Sequence, residues 1–206
     1  MRMLLAVALL GTFLVATPTT QSGSASRVSD SLMRAFAAGG QITMDLSAGE
    51  YRISGSSDSS IRLTWSVRDA EQLRDVRTRV DARGNEATIS TDGPDGDRGG
   101  FEVTIAVPSR SDLNVRLTAG EMEIDGIVGN KDVSLHAGEL TINVGQPADY
   151  RRVEASVWAG EVQAGPFGRT MGGLFRSFEW NGKGTYRLEA HLKAGEIRLR
   201  DGGRRE

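Results

Sequence analysis

The chain has 206 residues, 38% of them hydrophobic, and 25 basic against 27 acidic side chains give a formal net charge of −2. That length suits one domain, and so balanced a charge excludes the strong positive field of a nucleic-acid-binding protein. The absence of cysteine excludes zinc ribbons, thiol chemistry, a disulfide scaffold and lipid anchoring through an N-terminal cysteine.

The chain opens on Arg2, an apolar run from Leu4 to Ala16 and a small, polar stretch from Thr17 to Ser26. Gly23-Ser24-Ala25 offers a small-x-small cleavage site after Ala25, so residues 1–25 are expected to be a secretory signal peptide. The apolar run is shorter than the roughly 20 residues of a comfortable membrane span. An uncleaved anchor is the alternative. Export implies the periplasm, the cell surface or the medium. The remainder divides into a mature N-terminal segment (26–39), one β domain (40–201) and a short tail (202–206).

Ile42 to Leu46 alternates apolar and polar residues, and Ile61 to Val67 does so cleanly, as half-buried strands do. Asp69 to Asp75 is predicted as a short helix, since Ala70, Leu73 and Val76 share a side. Arg83-Gly84-Asn85 between Val76–Ala82 and Glu86–Thr91 is a hairpin signal. A Gly/Asp loop follows, then a strand over Phe101 to Val107 stopped by Pro108. Gly165 to Gly184, rich in glycine and aromatics, is expected to be an irregular loop or hairpin.

Five segments share one pattern: Leu46 to Ile53, Leu117 to Ile124, Leu135 to Ile142, Val157 to Ala164 and Leu192 to Leu199. Each runs apolar, any residue, Ala-Gly-Glu, apolar, polar, apolar. Their glycines, at 49, 120, 138, 160 and 195, are separated by 71, 18, 22 and 35 residues. Gaps of 18 and 22 match one rung of a β-solenoid. Val115, Leu117 and Ala119 share an inward face, as do Met122 and Ile124, and the odd step between the two sets demands a bend at Gly120. The alanine before each glycine is expected to pack tightly inside the corner. The fold class is therefore all-β, a right-handed β-solenoid-like stack of short strands with one short helix.

The same register predicts the surface. One outward column holds Ser47, Thr118, His136, Trp158 and Lys193; the next holds Glu50, Glu121, Glu139, Glu161 and Glu196. A third holds Arg52, Glu123, Thr141, Gln163 and Arg198. Carboxylates stacked about 4.8 Å apart repel, and would be relieved by fanning into water, by cations, or by Arg52 and Arg198.

Strand Val103–Val107 with Pro108, the strand from Leu113 into Ala119-Gly120-Glu121, then Ile124-Asp125-Gly126-Ile127-Val128-Gly129 and the second Ala-Gly-Glu strand resemble the bacterial putative-adhesin domain family. That resemblance spans about Gly40 to Asp201. It implies a right-handed, pectate-lyase-like β-solenoid similar to the head domains of auto-transporter adhesins, with no catalytic residues to carry over.

The candidate chemistry is sparse. His136 and His191 are both placed outward, with no ligand cluster around them, so no metal site and no cofactor are expected. No Gly-x-Ser-x-Gly elbow supports a serine triad. The loop from Asp92 to Asp97 supplies three carboxylates but lacks the spacing of a calcium loop. Paired glutamates could hydrolyse glycosides, yet nothing lodges one against aromatic rings to raise its pKa. Asn181-Gly182-Lys183-Gly184-Thr185 lacks the first glycine of a phosphate loop. Trp158 stands out: exposed, it would be a contact for a sugar ring, extended by Phe167, Phe175, Phe178 and Trp180. The alternative is that segment 165–184 folds over Trp158 and buries it. The expected contact residues are Trp158, His136, Lys193, Glu121, Glu139 and Glu161. The expected function is a non-catalytic envelope binding module for a glycan or a protein. A structural or regulatory protein-binding role and a polysaccharide-acting enzyme are the alternatives.

Overall fold

The computed structural model describes residues 27–94 and 100–202. The expected signal segment and residues 95–97 of the acidic 92–97 loop lie outside the described residues, as does all of the tail but Gly202. The described chain is nearly all β. Its strands are β1 (Val28–Ala35), β2 (Gln41–Leu46), β3 (Gly49–Ser56), β4 (Ser60–Val67), β5 (Arg77–Arg83) and β6 (Glu86–Asp92). They continue with β7 (Glu102–Pro108), β8 (Asp112–Asp125), β9 (Lys131–Gly145), β10 (Tyr150–Ala164), β11 (Arg169–Asn181) and β12 (Tyr186–Asp201). One helix, α1 (Ala70–Asp75), starts where the Asp69 carboxylate accepts hydrogen bonds from the amides of Glu71 and Gln72. The 83–85 signal closes the antiparallel β5–β6 hairpin, with Gly84 at φ +61°.

All twelve strands belong to one open sheet, whose main path runs β1-β4-β7-β3-β8-β9-β12-β10-β11. Strands β8, β9, β10 and β12 each have two legs joined at an Ala-Gly-Glu corner. Their neighbours in this stack are parallel and in register, glycine against glycine. Beyond β8, the first legs continue into β2, β6 and β5, and the second legs into β3, β7, β4 and β1.

The corner explains the glycines. Gly120, Gly138, Gly195 and Gly160 have φ of +122°, +130°, +133° and +143°, and a Cβ on any of them would overlap the carbonyl of the neighbouring rung's glycine. A side chain there would be both strained and obstructed. The alanines are half-buried or exposed, so they sit on the outside of the bend and not inside it as expected. Burial is done by the alternating positions on either side. Leu117, Leu135, Leu192 and Val157 line the inner side of the first legs, and Met122, Leu140, Ile197 and Val162 that of the second. Each large apolar side chain buried this way contributes about 1.5–3 kcal/mol relative to exposure.

The repeats do not stack in chain order: β12, the last repeat, lies between β9 and β10, so the corner glycines run 49, 120, 138, 195, 160. Of the two forms expected for 165–184, an irregular loop or a hairpin, the chain takes the hairpin: after a short turn it forms β11, thirteen residues that run antiparallel along β10 at an edge of the sheet.

Candidate functional site

An open groove of about 940 Å³ crosses the outer face of the first legs, from β2 through β8, β9, β12 and β10 to β11. Because strands place alternate side chains on one face, each rung offers two residues to it, at fixed distances before its corner glycine. The upper row runs Thr118, His136, Lys193, Trp158; the lower row runs Arg116, Ser134, His191, Ser156. Ser47 and Asp45 close one end of the groove, Phe175, Arg176 and Ser177 the other.

Trp158 is 58% exposed and Phe175 71% exposed, so β11 does not cover Trp158. The two rings meet edge to face at 5.6 Å, with planes at 88°. Both residues occupy unpaired positions of the β10–β11 register, and Phe175 has φ +52°, the single positive φ on a non-glycine residue among those described. A bulky residue in that region costs about 1–3 kcal/mol and marks a position held there by its surroundings. The other aromatics of the segment have a different task. Phe178 is buried, and Phe167 packs against it at 5.8 Å and against Trp180 at 5.0 Å, as part of the core.

The structure brings His136, Lys193 and Trp158 into this groove, in that lateral order. Lys193 stands between the other two, and His136 is not Trp158's immediate neighbour. His191 faces outward and is half-buried; its Nδ1 lies 2.8 Å from the Ser156 hydroxyl on the adjacent strand. Residues 156 and 191 share an offset from their glycines and meet because β12 lies beside β10. Among the described residues no carboxylate hydrogen-bonds the other nitrogen of His191. The pair therefore lacks the orienting acid of a serine triad.

Glu121, Glu139 and Glu161 lie on the second legs, away from the groove. Arg198 bonds to Glu196 on its own strand and reaches Glu139 at 2.7 Å. Arg52 lies 3.9 Å from Glu123, and Gln163 donates to Glu161 at 3.1 Å. Within the carboxylate column Arg198 thus relieves Glu139 and Glu196, while Arg52 pairs instead with Glu123 of the next column; no cluster of three metal-binding side chains occurs among the described residues.

Lys131 is a residue the sequence reading missed. It lies at the inward phase of β9, in line with Val133 and Leu135, and is 2% exposed. Its ammonium donates to the Gly129 carbonyl at 3.1 Å and to the Tyr150 hydroxyl at 3.0 Å, and lies 5.3 Å from the centre of the Tyr150 ring. Burial lowers its pKa to about 8, while Asp112 and Asp149 pull the other way. Burial raises the Tyr150 phenol above its ordinary value. The phase of Lys131 in the alternation was the available signal. Near the other end of the corner ladder, the buried Tyr51 hydroxyl meets Thr91 at 2.7 Å, tying the first repeat to β6.

No family model matches the chain, and no curated protein matches it. Among solved structures, the fold is similar to that of a protein named a putative cell adhesion protein from Clostridium sporogenes. The TM-score is 0.56 at 13% identity, over 84% of this chain and all of that one. Putative adhesins from Bacteroides fragilis (TM-score 0.32, 10% identity, 85% of this chain and 98% of that one) and Parabacteroides distasonis (0.30, 16%, 59% and 58%) are more distant and carry no argument about this fold. The chain is thus similar in fold, at low sequence identity, to a bacterial protein named for cell adhesion.

Proposed function

We propose that this chain is an exported, non-catalytic binding module of a bacterial cell envelope, and that it holds an envelope carbohydrate in the groove over the first legs. The observation that carries this reading is the exposed Trp158–Phe175 pair, held at one end of the groove by a backbone conformation that a phenylalanine adopts only at a cost. Large aromatic side chains left in water are unfavourable unless something covers them, and sugar rings stack on such faces. Hydroxyls of Thr118, Ser134, Ser156 and Ser177 around the same groove suit a ligand rich in hydroxyls. The fold shared with a protein named for cell adhesion agrees with a binding role. Arg2, the apolar run and the Gly23-Ser24-Ala25 site support export. No described helix is long and apolar enough to cross a membrane. The parallel rungs, returning by short segments such as 126–130, support a right-handed solenoid winding, since parallel crossovers are right-handed almost without exception.

A second reading is favoured by β11 itself, whose outer edge is unpaired and whose Leu174 is 61% exposed. Such an edge accepts a strand from another protein. One pull-down separates the two. Wild type and Trp158→Ala are mixed with cell-wall sacculi, surface polysaccharide and envelope extract. Retention on glycan that falls in the variant supports the groove. No retention on glycan, with a single protein recovered equally by both, sinks it in favour of the strand edge.

A further inference from the structure

We infer that the groove takes an acidic carbohydrate, a linear glycan carrying carboxylates on its rings, an inference that rests on the groove being the binding site. Trp158 on β10 has Lys193 of β12 on one side and Phe175 of β11 on the other, with Arg176, the partner of Val157, one residue further along β11. Adjacent strands are about 4.8 Å apart, so both cations lie within a side chain's reach of a ring stacked on Trp158. A uronic acid carries its carboxylate on the ring carbon chain, at the ring's rim, where these cations stand.

The charges of the groove are one-sided. Among the described residues Asp45 is its one carboxylate, and it lies 3.8 Å from Arg116, which offsets it. Lys193 and Arg176 form no ion pair among the described residues, and Arg176 donates its Nε–H to the Gly172 carbonyl at 3.0 Å. The second legs show the contrast, because there Arg198 is engaged by two glutamates.

An acidic peptide suits the same charge but not the same floor. The floor of the groove crosses side-chain faces of strands β8, β9, β12 and β10, each paired on both sides, so a peptide lying across it would leave its amides and carbonyls unsatisfied except at the β11 rim. A glycan has no such requirement, and its hydroxyls match the serines and threonine of the groove.

The test is calorimetric titration of the purified full chain with three probes: oligogalacturonate, its methyl ester and poly-glutamate. The acid is expected to bind, the ester and the polypeptide to bind roughly tenfold more weakly or worse. Lys193→Gln and Arg176→Gln should each weaken the acid roughly tenfold, and added salt should weaken it further. Both side chains are exposed, and unchanged melting confirms that the variants fold. If the ester binds as tightly as the acid and still needs Trp158, the charge assignment is overturned while the groove remains the site. If poly-glutamate binds as tightly as the acid, the carbohydrate assignment is overturned. If no probe binds although the pull-down shows Trp158-dependent retention on glycan, the acidic class alone falls; if that retention is also absent, both readings fall.

Discussion

Before the corner glycine, the outward positions of β9, β12 and β10 are His136, Lys193 and Trp158; three residues later, past the glycine, the same strands show Glu139, Glu196 and Glu161. The two legs share one backbone register and one core, yet their surfaces are built differently. On the second legs, Arg198 matches the charges of Glu139 and Glu196 on adjacent strands. On the first legs, Lys193 and Arg176 form no ion pair among the described residues, and Trp158 and Phe175 stay exposed, around a groove of about 940 Å³. A repeat that must keep Ala-Gly-Glu for its geometry leaves the residue before the alanine free to vary, and that is where the candidate binding surface lies.

The comparison breaks most severely at the corner that both legs share. Gly138→Ala is expected to destabilise the protein by about 3 kcal/mol or more, because it adds a strained φ and a clash with the Gly120 carbonyl. Gly145→Ala, at φ +69° with open space around it, should cost only about 1 kcal/mol. Denaturant titration of the two variants reads the difference, and equal losses would mean that the stacked corners do not constrain each other.

Lys131 tests the core between the legs through pH. Its native pKa of about 8 lies below its ordinary value of 10.5. From pH 8 upward the native state gives up a proton that the unfolded chain still holds, so stability rises with pH. The full penalty, present below pH 8, is on the order of 3 kcal/mol. Above pH 10 the buried phenols of Tyr51 and Tyr150, whose pKa values are raised, oppose the trend. The expected outcome is a rise in unfolding free energy between pH 8 and 10 that Lys131→Met flattens; a wild type with no rise contradicts the burial of a charged lysine.

The smallest effect belongs to the matched face. Arg198→Ala removes the bonds to Glu196 and Glu139 and should cost less than about 1 kcal/mol, diminishing at high salt. A loss that salt leaves untouched would mean that packing of the guanidinium, and not charge, sustains that face.

What was legible in the sequence follows from periodicity. Alternation around Leu117 and Met122 revealed which side chains are buried, and Gly120 at an odd step revealed the bend. The run from Asp69 to Asp75 announced the short helix α1. The lateral order of the strands was not legible, because parallel neighbours in register satisfy the same pattern whichever repeat lies beside which. Hence the insertion of β12 between β9 and β10, which sets Lys193 beside His136 and separates His136 from Trp158, came only with the structure. Strand β11 was hidden for another reason. Gly172, Gly173 and a mostly exposed edge leave it little of the alternation that marks a half-buried strand.

The order of strands is also the most direct point of attack, and the absence of cysteine makes the chain a clean background for it. Paired cysteines at 136 and 193, at 193 and 158, and at 136 and 158 can be oxidised and their cross-linking measured. Neighbouring strands bring positions about 4.8 Å apart and next-but-one strands about twice that, beyond the reach of a disulfide. The first two pairs are expected to close and the third to stay reduced. Closure of the 136–158 pair with failure of the 136–193 pair would mean that the repeats stack in chain order, and the insertion of β12 between β9 and β10 would be contradicted.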